Sequence, residues 1–505
     1  MIAAAGTGLS EAGESLSVLA ETVLQPGFEG TTAPDWIRRR IARGLGGAVL
    51  FGRNIVTPEQ VAALTAQLRA ENPDLIIAID EETGDVTRVH ARTGSTRPGN
   101  YALAAIDDPE LTEAVARDLG GELAHLGVSL NYAPSADVNS NPDNPVIGAR
   151  AFGSDPAVAA RHVAAWVRGQ QSVGVGACAK HFPGHGDTQT DSHHGVPLID
   201  RSRDEMRDAE LVPFRAAIAA GVRAVMTGHL LVPALDPDHI ATHSPAILQG
   251  LLRDELGFTG LVISDGIEMA ASAARYGLGG ASARAIAAGV DAICVGGENS
   301  DEATVDLLRD SIVAAVHDGS LPLERLAEAA ARVRAYAGWS AACRDARAAH
   351  RWTDEGTIGR TAARRALRVH TADGANAVRP LTVAPHVVEF AATVNLAVGP
   401  TPWGLAEPLR AHFAGTTVAR LGADGPVDGV LRPALDRPLV VVVRDVHRHQ
   451  WMADRLAEVV RLRPDAVVVE MGIPVAAPVG GTHIATFGAA RACGEAAAEL
   501  LAGRQ

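Results

Sequence analysis

The chain runs to 505 residues, 47% of them hydrophobic, and its 45 basic and 59 acidic residues leave a net charge of −14. Such a length implies more than one hydrophobic core. The acidic balance excludes a general electrostatic attraction to nucleic acid or to an anionic membrane. The four cysteines, Cys178, Cys294, Cys343 and Cys493, are scattered, with neither metal-ligand spacing nor the density of a disulfide framework. No apolar run is long enough to span a bilayer. The N-terminal stretch lacks a basic segment and carries Glu11 and Glu14 where a signal peptide would be apolar. A cytoplasmic protein is the expectation.

In chain order, short apolar runs alternate with longer helical patterns. The runs are 48–51, 75–79, 128–132, 176–179, 224–227, 261–264 and 292–295. They are apolar throughout rather than alternating, as suits strands buried on both faces of a parallel sheet. Between them, 58–68, 109–126 and 156–171 are Ala-rich with helical spacing, and each opens on Pro. This cadence means a barrel or a doubly wound sheet. Nearly every run ends in a polar residue, which favours a (β/α)8 barrel, where active-site groups gather at the C-terminal strand ends. The Gly-rich phosphate turn of a dinucleotide-binding sheet is missing after the first run.

Residues 321–336 read as one more amphipathic helix, and 352–368 as a charged connector. New strands are expected at 393–398, 439–443 and 466–469, with a closing helix at 489–501. The expected division is a barrel over 1–350, a linker over 351–375 and a smaller αβα sandwich over 376–505.

Lys180 to His194 gathers four histidines, two aspartates and a lysine around a Pro-Gly turn after a strand. A polar surface loop is the plain reading, but that density of titratable groups favours a functional one. A metal site is a rival, since His and Asp bind zinc, yet no H-E-x-x-H and no cysteine pair supports it. No metal and no cofactor are expected. Asp265 follows the run Leu261–Ser264 directly. Such an Asp is costly unless it faces a cleft or a partner, or it caps a helix. Asp80-Glu81-Glu82-Thr83-Gly84-Asp85, with Arg88 after it, also follows a strand and reads as a solvated turn or a clamp for sugar hydroxyls.

These blocks resemble the bacterial β-N-acetylglucosaminidase branch of glycoside hydrolase family 3. Lys180-His181-Phe182-Pro183-Gly184-His185-Gly186 with Asp191-Ser192-His193 resembles its signature. Asp80 to Arg88, Ile147-Gly148-Ala149-Arg150-Ala151-Phe152-Gly153, and Ser264-Asp265 with Met269 resemble three further elements in the family's order. The likeness covers about residues 20 to 340, and more loosely the C-terminal region.

The resemblance implies Asp265 as nucleophile, His193 as acid/base with Asp191 as its partner, and Asp80, Arg88, Arg150, Lys180 and His181 as holders of sugar hydroxyls. It implies a retaining exo-β-N-acetylglucosaminidase acting on small glycans through a covalent glycosyl-Asp265 intermediate. A histidine base is neutral when it activates the acceptor, so phosphorolysis is the nearest alternative reaction. A catalytically silent sugar-binding protein is more remote. Two departures stand out. Thr83 replaces a usual Gly and Asp85 replaces a frequent Arg. Thr is costly at positive φ, so if that Gly makes an unusual turn, the loop here should depart from it.

Overall fold

The computed structural model describes residues 15–188, 195–350, 352, 356–374, 378–391, 399 and 401–504. These form two compact units. The first holds Met1–Glu81, Thr112–Val138 and Asp155–Asp354, and the second holds Glu82–Leu111, Asn139–Ser154 and Glu355–Gln505.

The first unit carries eight parallel strands: β1 (Leu24–Pro26), β2 (Gly47–Leu50), β3 (Ile76–Ile79), β4 (Leu130–Asn131), β5 (Gly176–Phe182), β6 (Ala224–Thr227), β7 (Leu261–Ser264) and β8 (Ile293–Val295). β2 to β7 make one curled sheet in sequential order, and β1 pairs with β8. A bridge between Ile263 and Ala292 links β7 to the segment entering β8. Gly46 lets the chain entering β2 pass close by the end of the first helix. A Cβ there would stand 1.9 Å from the Thr22 carbonyl oxygen. The (β/α)8-type fold followed by a second α/β sheet is thus borne out. Seven of the eight strands match apolar runs. The eighth, β1, is three residues around a buried Gln25 and gives no run to read.

Strands β2 to β8 turn side chains into one inner core: Val49, Ile76, Ala78, Leu130, Cys178, Ala224, Met226, Leu261, Ile263 and Cys294 among them. The helix Leu323–Ala342 seals this core with Val333 and Tyr336, and the Tyr336 hydroxyl donates to the Ser129 carbonyl at 2.9 Å. The outer helices start where chemistry dictates. Thr57, Asp155 and Asp301 accept from backbone N–H groups of the helices they precede, and Pro58 and Pro156 open the first two.

In the second unit a six-stranded sheet runs in the order β11-β10-β12-β13-β14-β9. Its strands are β9 (Arg368–Thr371), β10 (His386–Phe390), β11 (Thr417–Leu421), β12 (Leu439–Val443), β13 (Val467–Glu470) and β14 (Thr482–Ala485). All pairs are parallel except β9 with β14. Apolar clusters line both faces, one beneath the helix Arg491–Leu501 and the other beneath Gln450–Leu462. The expected connector is structured. It contains the helix Thr357–Ala366, whose Ala362, Ala363 and Ala366 are buried, and then β9. Its apolar stripe is alanine, so charge masked the period. The strand expected at 393–398 lies outside the described residues.

Candidate active site

In the first unit the C-terminal ends of β3 to β7 bring polar residues together. A register shift in β5 between Ala179 and Phe182 frees Lys180 and His181 from the regular ladder, and the peptide between them is cis. Buried Lys180 donates through Nζ to Asp80 Oδ1 at the end of β3. His181 Nδ1 lies 2.8 Å from Oδ2 of Asp137, a fully buried residue past β4. Asp137 Oδ2 also accepts from Ser135 Oγ at 2.9 Å, and Oδ1 accepts the backbone N–H groups of His181 at 3.0 Å and His185 at 2.8 Å. Burial would raise the Asp137 carboxyl, but His181, by charge and by hydrogen bond, and then His185 outweigh it and hold it below the usual carboxylate range.

Asp265 follows β7. Its backbone N–H donates to the Thr227 carbonyl at 3.2 Å, and its Oδ1 accepts from Gly266 N–H at 2.8 Å. Burial would raise this carboxyl too. The charges of His181 and His229, the Gly266 N–H and Lys180 prevail and hold it at about 2, so the group is a carboxylate at any working pH.

His229 lies beyond β6, fully buried, and burial lowers its pKa below the ordinary value. Its Nε2–H donates to the Gly266 carbonyl at 3.0 Å, and its Nδ1 lies 2.8 Å from the Thr242 hydroxyl. The Thr242 hydroxyl donates to the Gly228 carbonyl at 3.1 Å and lies 2.8 Å from the Thr227 hydroxyl. This chain fixes the peptide that follows Asp265. Glu268 Oε1 accepts from Gly296 N–H at 2.9 Å and Gly297 N–H at 2.5 Å, joining the Asp265 loop to the end of β8.

Asp80, Lys180, His181 and Asp265 are therefore gathered at one end of one sheet. Asp191 and His193 lie outside the described residues. Just before them, Asp187 Oδ2 accepts from Arg201 Nε at 2.7 Å. Among the described residues no group of three or more His, Cys, Asp or Glu side chains is placed to hold a metal ion, and no helix is long and apolar enough to cross a membrane.

Arg88 and Arg150 belong to the second unit. Arg150 is buried and forks onto Glu82, with Nε to Oε2 at 2.9 Å and Nη2 to Oε1 at 2.7 Å. Thr83 does take the left-handed conformation, with φ +67°, and Gly84 follows at +60°. Thr itself carries this turn here, with Oγ1 donating to the Pro98 carbonyl at 3.0 Å. Asp85 accepts from Arg444 Nη2 at 2.7 Å and from Ala489 N–H at 2.8 Å, so it ties this segment to the second sheet.

The model of the glycosyl hydrolase family 3 N-terminal domain matches residues 31–335, more than half of the chain. The protein belongs to glycosyl hydrolase family 3. A family relative, the beta-hexosaminidase of Stenotrophomonas maltophilia, is 41% identical over 266 residues, which are 52% of this chain and 76% of that one. The beta-hexosaminidase A of Pseudoalteromonas piscicida is 37% identical over 283 residues, 52% of this chain and 47% of its own length, so the match spans about half of that protein. Among solved structures, a glycoside hydrolase family 3 beta-N-acetylglucosaminidase from Paenibacillus sp. superposes with a TM-score of 0.87 at 33% identity over 97% of each chain.

Sequence reading gave no role to Asp137, His229 or Glu268. The first two are polar residues just past apolar runs, the same sign that singled out Asp265 and Lys180. The signal was present, but nothing in a linear pattern shows which of them point inward.

Proposed function

We propose that this family 3 chain is a retaining exo-β-N-acetylglucosaminidase that removes terminal β-linked N-acetylglucosamine from small glycans. One observation carries it: Asp265 is a strand-end carboxylate kept ionised against its burial by His181 first and by Lys180 among the rest, and fixed through its neighbouring peptide. A nucleophile must be ionised and rigidly placed. The names of the family relatives agree with this reading.

In the first step Asp265 attacks the anomeric carbon while the imidazolium of His193 gives its proton to the departing glycosidic oxygen. In the second, neutral His193 takes a proton from water, which attacks the same carbon and releases Asp265. Imidazole suits both steps because its ordinary pKa, about 6.5, lies near working pH. Asp191 orients the ring and stabilises its cation, as Asp does for His in serine proteases. Asp80, Lys180 and His181 hold sugar hydroxyls. The family resemblance gives Arg88 and Arg150 the same class of task, and they stay in the proposal on that ground.

The test is hydrolysis of p-nitrophenyl β-N-acetylglucosaminide and of chitobiose by wild type and by His193→Ala, with and without phosphate. Loss of chitobiose cleavage with partial retention of the nitrophenyl substrate supports His193 as the acid, since a good leaving group needs no proton. Equal loss on both removes His193 from that role. A phosphate-dependent sugar phosphate makes the enzyme a phosphorylase.

A further inference from the structure

His181 is the largest favourable charge acting on Asp265, and its ring is nearly enclosed, with 6% of the side chain exposed. One of its nitrogens is committed to Asp137. Because Asp137 is ionised and has no proton to give, Nδ1 must be the donor of that 2.8 Å hydrogen bond. The neutral ring then carries its proton on Nδ1 and a lone pair on Nε2, and the charged ring has its cation balanced by a buried anion. The same carboxylate accepts the backbone N–H groups of His181 and His185 and the Ser135 hydroxyl. Four donors converge on one fully buried side chain and fill the lone-pair sites of its carboxylate.

We infer that Asp137 is a positioning residue for the reaction: it sets the tautomer of His181, with the proton on Nδ1 and the lone pair on Nε2. The part this plays in the reaction rests on the glycosidase reading above, while the tautomer does not.

Asn separates tautomer from fold. In Asp137→Asn the amide oxygen can still accept from both backbone N–H groups. The amide nitrogen, in place of Oδ2, donates to His181 Nδ1 and to Ser135 Oγ. All four hydrogen bonds survive with two of them reversed, and the His181 proton moves to Nε2. Where an Asp that orients a catalytic His in a serine protease is changed this way, the geometry stays and the rate falls.

The experiment is 15N-histidine NMR on the full chain together with kinetics. In wild type at alkaline pH, His181 should show its proton on Nδ1, and in Asp137→Asn on Nε2. kcat/KM for the nitrophenyl substrate should fall by about 100-fold to about 10,000-fold, the upper figure being that of the serine-protease case. On a His181→Ala background, Asp137→Asn should change kcat/KM less than about threefold, because the two residues act as one unit. Nε2 protonated in neutral wild-type His181 would overturn the inference. So would a variant as active as wild type, or a full loss that persists without His181. If Asp137→Asn does not fold, the wild-type NMR still decides the tautomer. If wild type has no glycosidase activity, the function falls while the NMR outcome stands on its own.

Discussion

Asp265 and Glu470 occupy the same kind of place in two different sheets, at or just past the C-terminal end of a buried parallel strand. Their protonation is opposite. Asp265 is held down at about 2 by His181, His229, the Gly266 N–H and Lys180 against its burial. Glu470 is pushed up to about 7, first by burial and then by the neighbouring charge of Asp445. It accepts N–H groups from Asp445 and Gly472 at 2.8 Å and from Val446 at 3.4 Å, and these only partly offset the penalty. Strand-end placement therefore gives a carboxylate its rigidity, while the cations beside it decide its charge. Among the described residues those cations stand beside Asp265 and not beside Glu470, which is why the proposal gives the nucleophile's role to Asp265 rather than to an acid of the second sheet.

The largest test of that contrast is removal of the proposed nucleophile. Asp265→Ala should lower kcat at least about 1000-fold. Added azide should restore turnover by taking the vacated place, giving the glycosyl azide of inverted configuration. Activity near wild type, or rescue with retained configuration, would return Asp265 to the ranks of buried structural acids alongside Glu470.

A second test lies within the second unit, where Glu82 has what Glu470 lacks. Both oxygens of Glu82 meet the Arg150 fork in a buried pair. Arg150→Met should destabilise this unit by about 3 to 5 kcal/mol, because a buried carboxylate loses its cation. Adding Glu82→Gln should recover part of the loss. Amide hydrogen exchange in β12 and β13 reports on that unit specifically, and no change there would show that the pair contributes nothing net.

The pH dependence of stability carries the contrast in sign. Asp265, with its pKa depressed, adds stability present above its unfolded value near 3.8 and lost as pH falls toward about 2. Glu470 does the reverse. Between its ordinary 4.5 and about 7, the folded chain keeps a proton that the unfolded chain has released. Stability should thus fall as pH rises through that window, by about 3 kcal/mol in all, and stay level above it. Glu470→Gln should abolish the slope, as measured by urea denaturation at about pH 5 and about pH 8. A slope that survives would place its origin elsewhere.

Much of the first unit was legible because its strands are buried on both faces and so form unbroken apolar runs. The second unit was harder. β11 exposes Thr417, Val418 and Arg420, as an edge strand does, and β9 alternates in exposure, so neither makes a run. Helix Thr357–Ala366 hid its apolar face in alanines among arginines. Of the site, the residues held in contiguous motifs were readable. Asp137 and His229 were not, since what distinguishes them is the partner each meets across strands: His181 from β5 for one, the Gly266 carbonyl past β7 for the other.

The smallest effect concerns Thr83, whose neighbouring Asp85 is tied by Arg444 to the sheet that carries Glu470. A β-branched residue at φ +67° is strained, and relieving that with glycine gains about 1 to 2 kcal/mol. Thr83→Gly also gives up the hydrogen bond to Pro98, about 1 kcal/mol net, and adds glycine's greater freedom in the unfolded chain, about 0.5 to 1 kcal/mol. The terms nearly cancel, so stability should change by less than about 1 kcal/mol in either direction. Gly84 has no such compensation, because a Cβ there would stand 2.4 Å from the Gly99 Cα. Gly84→Ala should therefore destabilise the second unit well beyond Thr83→Gly, and the two variants compared by exchange in β12 and β13 separate strain a side chain can bear from a clash it cannot.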